Sequence, residues 1–241
     1  MIGVAAGNYD PMTASRPATV LPLIVFDVNE TLSDMTPLAG RFTDVGAPAQ
    51  LAKLWFAGLL RDGFARTAAG ASERFSVLAA ASLRTVLHGV DLDRDLDSAI
   101  DHVLDGFAHL PVHPDVPDGV RALRADGYHL VTLSNGSADV AQKLLDRAGL
   151  AAEFDRLLSV EQAGTWKPAP GSYRYAASTC GVAAEEMLLV AVHPWDIDGA
   201  ARAGLRTAWI NRAAAPYPDH FSRPDYTVTG LDLLVAELKT A

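Results

Sequence analysis

Apolar residues fall into two rhythms along this chain. A short run, Leu23 to Phe26 in "LIVFDVNETLSD", has the length and branching of a strand buried on both faces. After it the rhythm turns helical, from about residue 45 to 110. "AQLAKLWFAGLLRDGFART" sets Leu51, Leu54, Trp55, Leu59 and Leu60 near helical spacing. "ERFSVLAAASLRTVLHG" predicts a second helix closed by Gly89, and "DLDRDLDSAIDHVLDGFAHL" a third. At Pro111 to Pro117 the punctuation changes and an alternation begins. "HLVTLSN", "FDRLLS", "MLLVAV", "RTAWIN" and "PDYTV" predict strands. "DGVRALRADGY", "ADVAQKLLDRAGL", "GSYRYAASTCGV", "DIDGAARAGL" and "GLDLLVAELKT" predict helices. Strands alternating with helices imply right-handed crossovers and a parallel sheet covered on both faces. The expected fold class is α/β: a Rossmann-like parallel sheet core with helices on both faces, residues 21–34 and 111–241. An all-helical cap, residues 35–110, is inserted into it, and residues 1–20 read as an N-terminal extension.

Composition narrows the function classes. The chain has 241 residues, 49% apolar and 20% charged, which suits one large domain or a core with an insertion. A formal net charge of −9 argues against nucleic acid and anionic membranes as partners. No apolar run approaches the roughly 20 residues of a membrane span. The opening residues lack the basic and apolar regions of a secretory signal, and the single Cys180 has no partner for an internal disulfide. A cytoplasmic location is therefore expected. The histidines at 88, 102, 109, 113, 129 and 220 show no metal-ligand spacing, and neither a metal nor a cofactor is expected. Leftover apolar faces of the cap could make a homodimer.

The candidate chemistry sits where strands end. Asp27 and Thr31 follow the first, Ser134 and Asn135 close "TLSNGS", Lys167 lies in "GTWKPAPGSY", and Asp196 in "VAVHPWDIDGAARAG". In a parallel sheet these ends share one edge, where ligands bind. The four segments "FDVNETL", "LSN", "KPAPGSY" and "WDIDGAARAGL" stand in the order and spacing of the haloacid dehalogenase superfamily, which the chain resembles from about residue 21 to 238. That resemblance implies Asp27 as a nucleophile, Thr31 as partner of its carboxylate, Ser134 as ligand of a substrate acid group, and Lys167 as the cation that keeps the nucleophile ionised.

The superfamily's phosphatases resemble D-x-D-x-T and G-D-x-x-x-D. Here the second acid of the first pattern is Asn29, which cannot donate and recover a proton near neutral pH, and Val192 replaces the first acid of the second. The L-2-haloacid dehalogenase branch is the better likeness, through the spacing of Lys167 and Tyr173 and through Trp195-Asp196. It implies attack of Asp27 on C2 of a small carboxylic acid, then hydrolysis of the aspartyl ester with Asp196 as base or orienter of the water. Asn29, Asn135, Phe56, Tyr173, His193 and Trp195 are expected to contact substrate. Two segments depart from the branch. Phe56 stands where its members carry a halide-binding Arg, with Arg61 and Arg66 as the nearest replacements, and Ala191 and His193 replace small polar residues. His193 could donate a proton to a leaving atom. Three alternatives follow: hydrolytic opening of a strained ring such as azetidine-2-carboxylate, a phosphatase, and a non-catalytic binding protein.

Overall fold

In the computed structural model, which describes residues 22–240, the chain lays down β1 (Leu23–Phe26) and at once leaves the sheet. Four helices follow: α1 (Leu38–Thr43), α2 (Leu51–Ala68), α3 (Phe75–Val86) and α4 (Leu96–Ala108). The chain returns through α5 (Val116–Ala125) to β2 (Leu130–Ser134), α6 (Ala138–Arg147), β3 (Arg156–Ser159) and the one-turn α7 (Val160–Ala163). It then runs through α8 (Pro170–Cys180), β4 (Met187–Ala191), α9 (Pro194–Arg202), β5 (Arg206–Ile210), β6 (Tyr226–Val228) and α10 (Leu231–Thr240). The expected extension, residues 1–20, lies outside the described residues.

All six strands are parallel, in the order β3-β2-β1-β4-β5-β6. This is the α/β fold expected from the alternation of strands and helices. Side chains alternate across each strand. Leu23 and Val25 of β1 face α8 and α9, while Ile24 and Phe26 face α5, α6 and α10. Because both faces are covered, the strand reads as an unbroken apolar run rather than an alternating one. No helix among the described residues is long and apolar enough to cross a membrane.

The four-helix insertion leaves and re-enters through paired segments. Ser33 bridges Val112 in antiparallel fashion, Asp34 N donates to the Pro111 carbonyl at 2.8 Å, and His113 N to that of Leu32 at 2.9 Å. Inside the cap Trp55 is the central side chain. It packs edge-on to Phe107 and donates from Nε1 to the Ala79 carbonyl at 3.0 Å, so its polar atom is satisfied in an apolar setting.

The cap is also fastened to the core by Trp166, which precedes Lys167. Its ring stacks on Phe75 at 6.0 Å and 11°, and its Nε1 donates to the Glu73 carbonyl at 2.9 Å. The contact depends on Gly63 of α2, because a Cβ there would lie 2.3 Å from the indole. Glycine in mid-helix normally costs stability relative to Ala. Gly63→Ala is nevertheless expected to destabilise the protein by about 1–3 kcal/mol, the usual cost of overpacking. Urea denaturation measures this, and an unchanged or higher midpoint would show that the helix and the Trp166 loop do not approach so closely.

Candidate active site

The reversal of strand order puts β1 beside both β2 and β4, and a crevice opens at the carboxyl ends of such neighbours. Asp27 is the first residue past β1, held by its own N–H on the Val190 carbonyl at 3.0 Å. Thr31 donates to Asp27 Oδ2 at 2.7 Å and accepts from Val192 N at 3.1 Å, which ties the two strand ends together. Glu30, in the same turn, has φ of 62°, a left-handed conformation that non-glycine residues adopt at a cost.

Lys167 reaches in from the loop after α7. Its Nζ donates to Asp27 Oδ1 at 2.8 Å and to Asp196 Oδ2 at 2.6 Å, and all three side chains are buried. Tyr173 donates to Asp196 Oδ1 at 2.5 Å. Burial alone would push the Asp27 carboxyl up, but the Lys167 ammonium, with His193 and the hydrogen bonds from Lys167 and Thr31, holds it below its ordinary value. Asp196 is pushed up by burial and by the charge on Asp27, against the pull of Lys167. Burial works against the charge on Lys167, and the two carboxylates more than offset it, so the ammonium persists. Burial and Asp196 drive the Tyr173 hydroxyl well above its usual range, which keeps it a donor. Two neighbouring carboxyls are thereby pushed in opposite directions, the pattern that separates a nucleophile from a base.

Thr31, Tyr173, Asn135 and His193 contact this group directly, Trp195 reaches it through His193, and Phe56 stands apart on the cavity wall. Ser134 Oγ accepts from Gly136 N at 2.9 Å, at the end of β2. Asn135 grips the Lys167 backbone from both sides: Oδ1 accepts from its N–H at 2.9 Å and Nδ2 donates to its carbonyl at 3.3 Å. Asn135 and Tyr173, expected as substrate contacts, are therefore turned onto the machinery itself. His193 Nε2 donates to the Asn29 carbonyl at 3.2 Å and lies 3.7 Å from Asp27 Oδ2. Its ring stacks on Trp195 at 4.8 Å, and Trp195 meets Phe64 of the cap edge-on at 5.0 Å.

His193 and Phe56 both line a cavity of about 1150 Å³ between cap and core. Arg61 and Arg66 do not replace the missing cation: both are exposed, neither lines the cavity, and Arg61 pairs with Asp62. Trp166 escaped the sequence reading, although an isolated glycine inside α2 was a signal that something approaches closely there. Arg212, also unforeseen, lines the cavity and ties Asp115 to the Thr31 carbonyl, at 2.7 and 3.1 Å.

Residues 21–204 match the model of a hydrolase family described as haloacid dehalogenase-like. Among similar proteins, haloacetate dehalogenase H-2 of Moraxella sp. (strain B) is 30% identical over 214 residues, 88% of this chain and 95% of that protein. The (S)-2-haloacid dehalogenase of Pseudomonas sp. (strain YL) is 32% identical over 222 residues, 90% of this chain and 94% of that protein. Among solved structures, a dehalogenase with an intermediate complex superposes with a TM-score of 0.84 at 29% identity, covering 90% of this chain and 97% of that one. An L-2-haloacid dehalogenase superposes at 0.85 and 28% identity, covering 92% and 100%.

Removing the central cation leaves two carboxylates buried against each other. Lys167→Met is expected to destabilise the protein by about 3–5 kcal/mol at pH 7, the usual cost of stranding a buried charge. The signs with pH follow from each shift. Asp27, lowered, stabilises above 3.8 and loses this as pH falls through its folded value. Lys167, raised, stabilises below 10.5 and loses this as pH rises through its folded value. Asp196, raised, works against the fold above 3.8. The gap between wild type and Lys167→Met should therefore narrow toward acid pH, where a proton replaces the lost cation. Equal stability at pH 7 by urea denaturation would contradict the ion-pair reading.

Proposed function

We propose that this chain, which belongs to the haloacid dehalogenase-like hydrolase family, hydrolyses a small 2-substituted carboxylic acid through an aspartyl ester, with (S)-2-haloacids as its first substrate class. The observation that carries this reading is the ammonium of Lys167 held between Asp27 and Asp196. It keeps Asp27 ionised in a buried site, where a carboxylate stripped of water is a stronger nucleophile. Asp27 attacks C2 from the side opposite the halogen, forming a carbon–oxygen bond as the halide leaves with the bonding electrons. Water then adds to the Asp27 ester carbonyl, and Asp196 takes its proton. On collapse the departing alkoxide takes that proton back from Asp196, Asp27 sheds its remaining proton to solvent as a carboxylate, and a 2-hydroxy acid inverted at C2 is released. Ser134, Asn29 and backbone amides of the turn after β1 hold the substrate carboxylate. The positive charge in this scheme comes from Lys167, so no step calls for a metal.

His193 supports a second reading. Its Nε2 carries a hydrogen, because it donates to the Asn29 carbonyl, and it stands 3.7 Å from Asp27 Oδ2. A departing nitrogen needs a proton where a halide does not, so hydrolytic opening of azetidine-2-carboxylate fits the same nucleophile with His193 as acid.

Asp27→Asn should abolish turnover, and a single turnover in H₂¹⁸O should place the label in Asp27 before it reaches product. Mass spectrometry of the protein decides this: label in product with none in Asp27 means direct attack by water. Phe56 offers an apolar face where a guanidinium would stabilise a leaving halide, and losing one such donor typically costs about 10²–10³ in rate. Wild type should act weakly on (S)-2-chloropropionate and better on the bromo acid, and Phe56→Arg should raise chloride release. Rapid chloride release by wild type, with no gain in the variant, would sink the assignment of Phe56.

A further inference from the structure

The cleft between cap and core, open to solvent on one side, offers far more room than a two- or three-carbon acid fills. It measures about 1150 Å³. A 2-chloropropionate has six non-hydrogen atoms and fills roughly 180 Å³, if each takes the ~30 Å³ share of a liquid water molecule. The space adjoins the site through His193, which lines it and stands 3.7 Å from Asp27 Oδ2, and through Val192, which lines it and donates to Thr31, the partner of Asp27.

The walls are apolar over much of their extent. Phe56 and Leu60 of α2 stand on the cap side, Trp209 and Ile210 of β5 on the core side. Ala52 and Ala57 lie beside Phe56 on the same wall, and their small side chains hollow it out next to bulky neighbours. Lys53 and Arg212 also reach the lining, the latter held by Asp115 and the Thr31 carbonyl. Trp209 is anchored by its Nε1 on the Val192 carbonyl at 2.9 Å, one residue past β4, so the core wall is fixed to the same strand end that serves the nucleophile.

We propose that the preferred substrates are longer acids: C2 carries an apolar chain of several carbons that runs from Asp27 along the wall formed by Phe56, Leu60, Trp209 and Ile210. This rests on the reaction proposed above and specifies its substrate class. Phe56 then serves as a specificity residue, an apolar surface for the chain, and Ala57 sets the room beside it.

Each methylene buried on such a wall gains about 0.8 kcal/mol, or roughly fourfold in kcat/KM. The series of (S)-2-bromo acids from propionate through butanoate and hexanoate to octanoate should show that rise over its first members. Ala57→Phe, at an exposed position on that wall, should lower kcat/KM for the hexanoate at least tenfold relative to that for the propionate. Binding of unreactive propanoate, hexanoate and octanoate to wild type, followed by calorimetry, separates the cleft from the chemistry. Tighter binding with length, reversed by Ala57→Phe, supports the proposal even if no bromo acid is hydrolysed, in which case the reaction itself is misassigned. A maximum at propionate with octanoate binding no tighter than propanoate overturns the proposal and leaves the reaction intact. A preference for 2-bromoadipate over 2-bromohexanoate also overturns it, because Lys53 rather than the apolar wall would then receive the tail.

Discussion

One ammonium group organises the molecule: Lys167 Nζ, buried between the carboxylates of Asp27 and Asp196. Three charges out of water are expensive, and their mutual attraction offsets that cost only with close geometry and satisfied lone pairs. The surroundings meet both conditions. Thr31 takes the second oxygen of Asp27, and Tyr173 that of Asp196. Asn135 clamps the Lys167 backbone so that the side chain enters from one direction. These groups come from the ends of β1 and β2, from α8, and from α9, which follows β4, so the ion cluster requires the strand order observed. A sheet in which β1 and β4 were not neighbours would hold Asp27 and Asp196 apart.

The cap completes this arrangement through aromatic contacts. Trp166 runs from the residue before Lys167 into the space over Gly63, and Phe64 meets Trp195, on which His193 stacks. Neighbouring residues of α2 thus touch both loops that frame the nucleophile. Such rings bury large areas with few rotatable bonds, so they fix position at low entropic cost. The helical insertion is in this sense a wall of the site.

Much of this was legible in the sequence. The runs Leu23 to Phe26 and Met187 to Ala191 read as buried strands because parallel strands covered on both faces are apolar throughout. Gly89, Gly149 and Pro117 punctuate the helices as their backbone preferences dictate. Short elements were not legible: α1, with six residues and no side-chain cap, and the four-residue α7 fall below the window in which a 3.6-residue period can be recognised. The site residues stood out because four polar segments at successive strand ends fall in one order and spacing, and such ends share one edge of a parallel sheet. Their directions did not. Tyr173 donates to Asp196 and Asn135 grips the Lys167 backbone, orientations that depend on residues 23 and 32 positions away in the chain. Trp166 was hidden for the same reason, since its partners Gly63, Glu73 and Phe75 lie in the cap.

The insertion of the cap directly after β1 also sets an order on how the chain can assemble. Ile24 pairs with Leu130 and Leu188, so the first strand of the sheet must wait for partners that lie far along the chain. Closing a loop of roughly a hundred residues adds only slowly to the entropic cost, but it delays the contact, while the helices of the cap meet one another locally and early. Until β2 and β4 have left the ribosome, Leu23 to Phe26 is an apolar strand with two unpaired edges. This stretch is the part of the nascent chain most open to pairing with another copy.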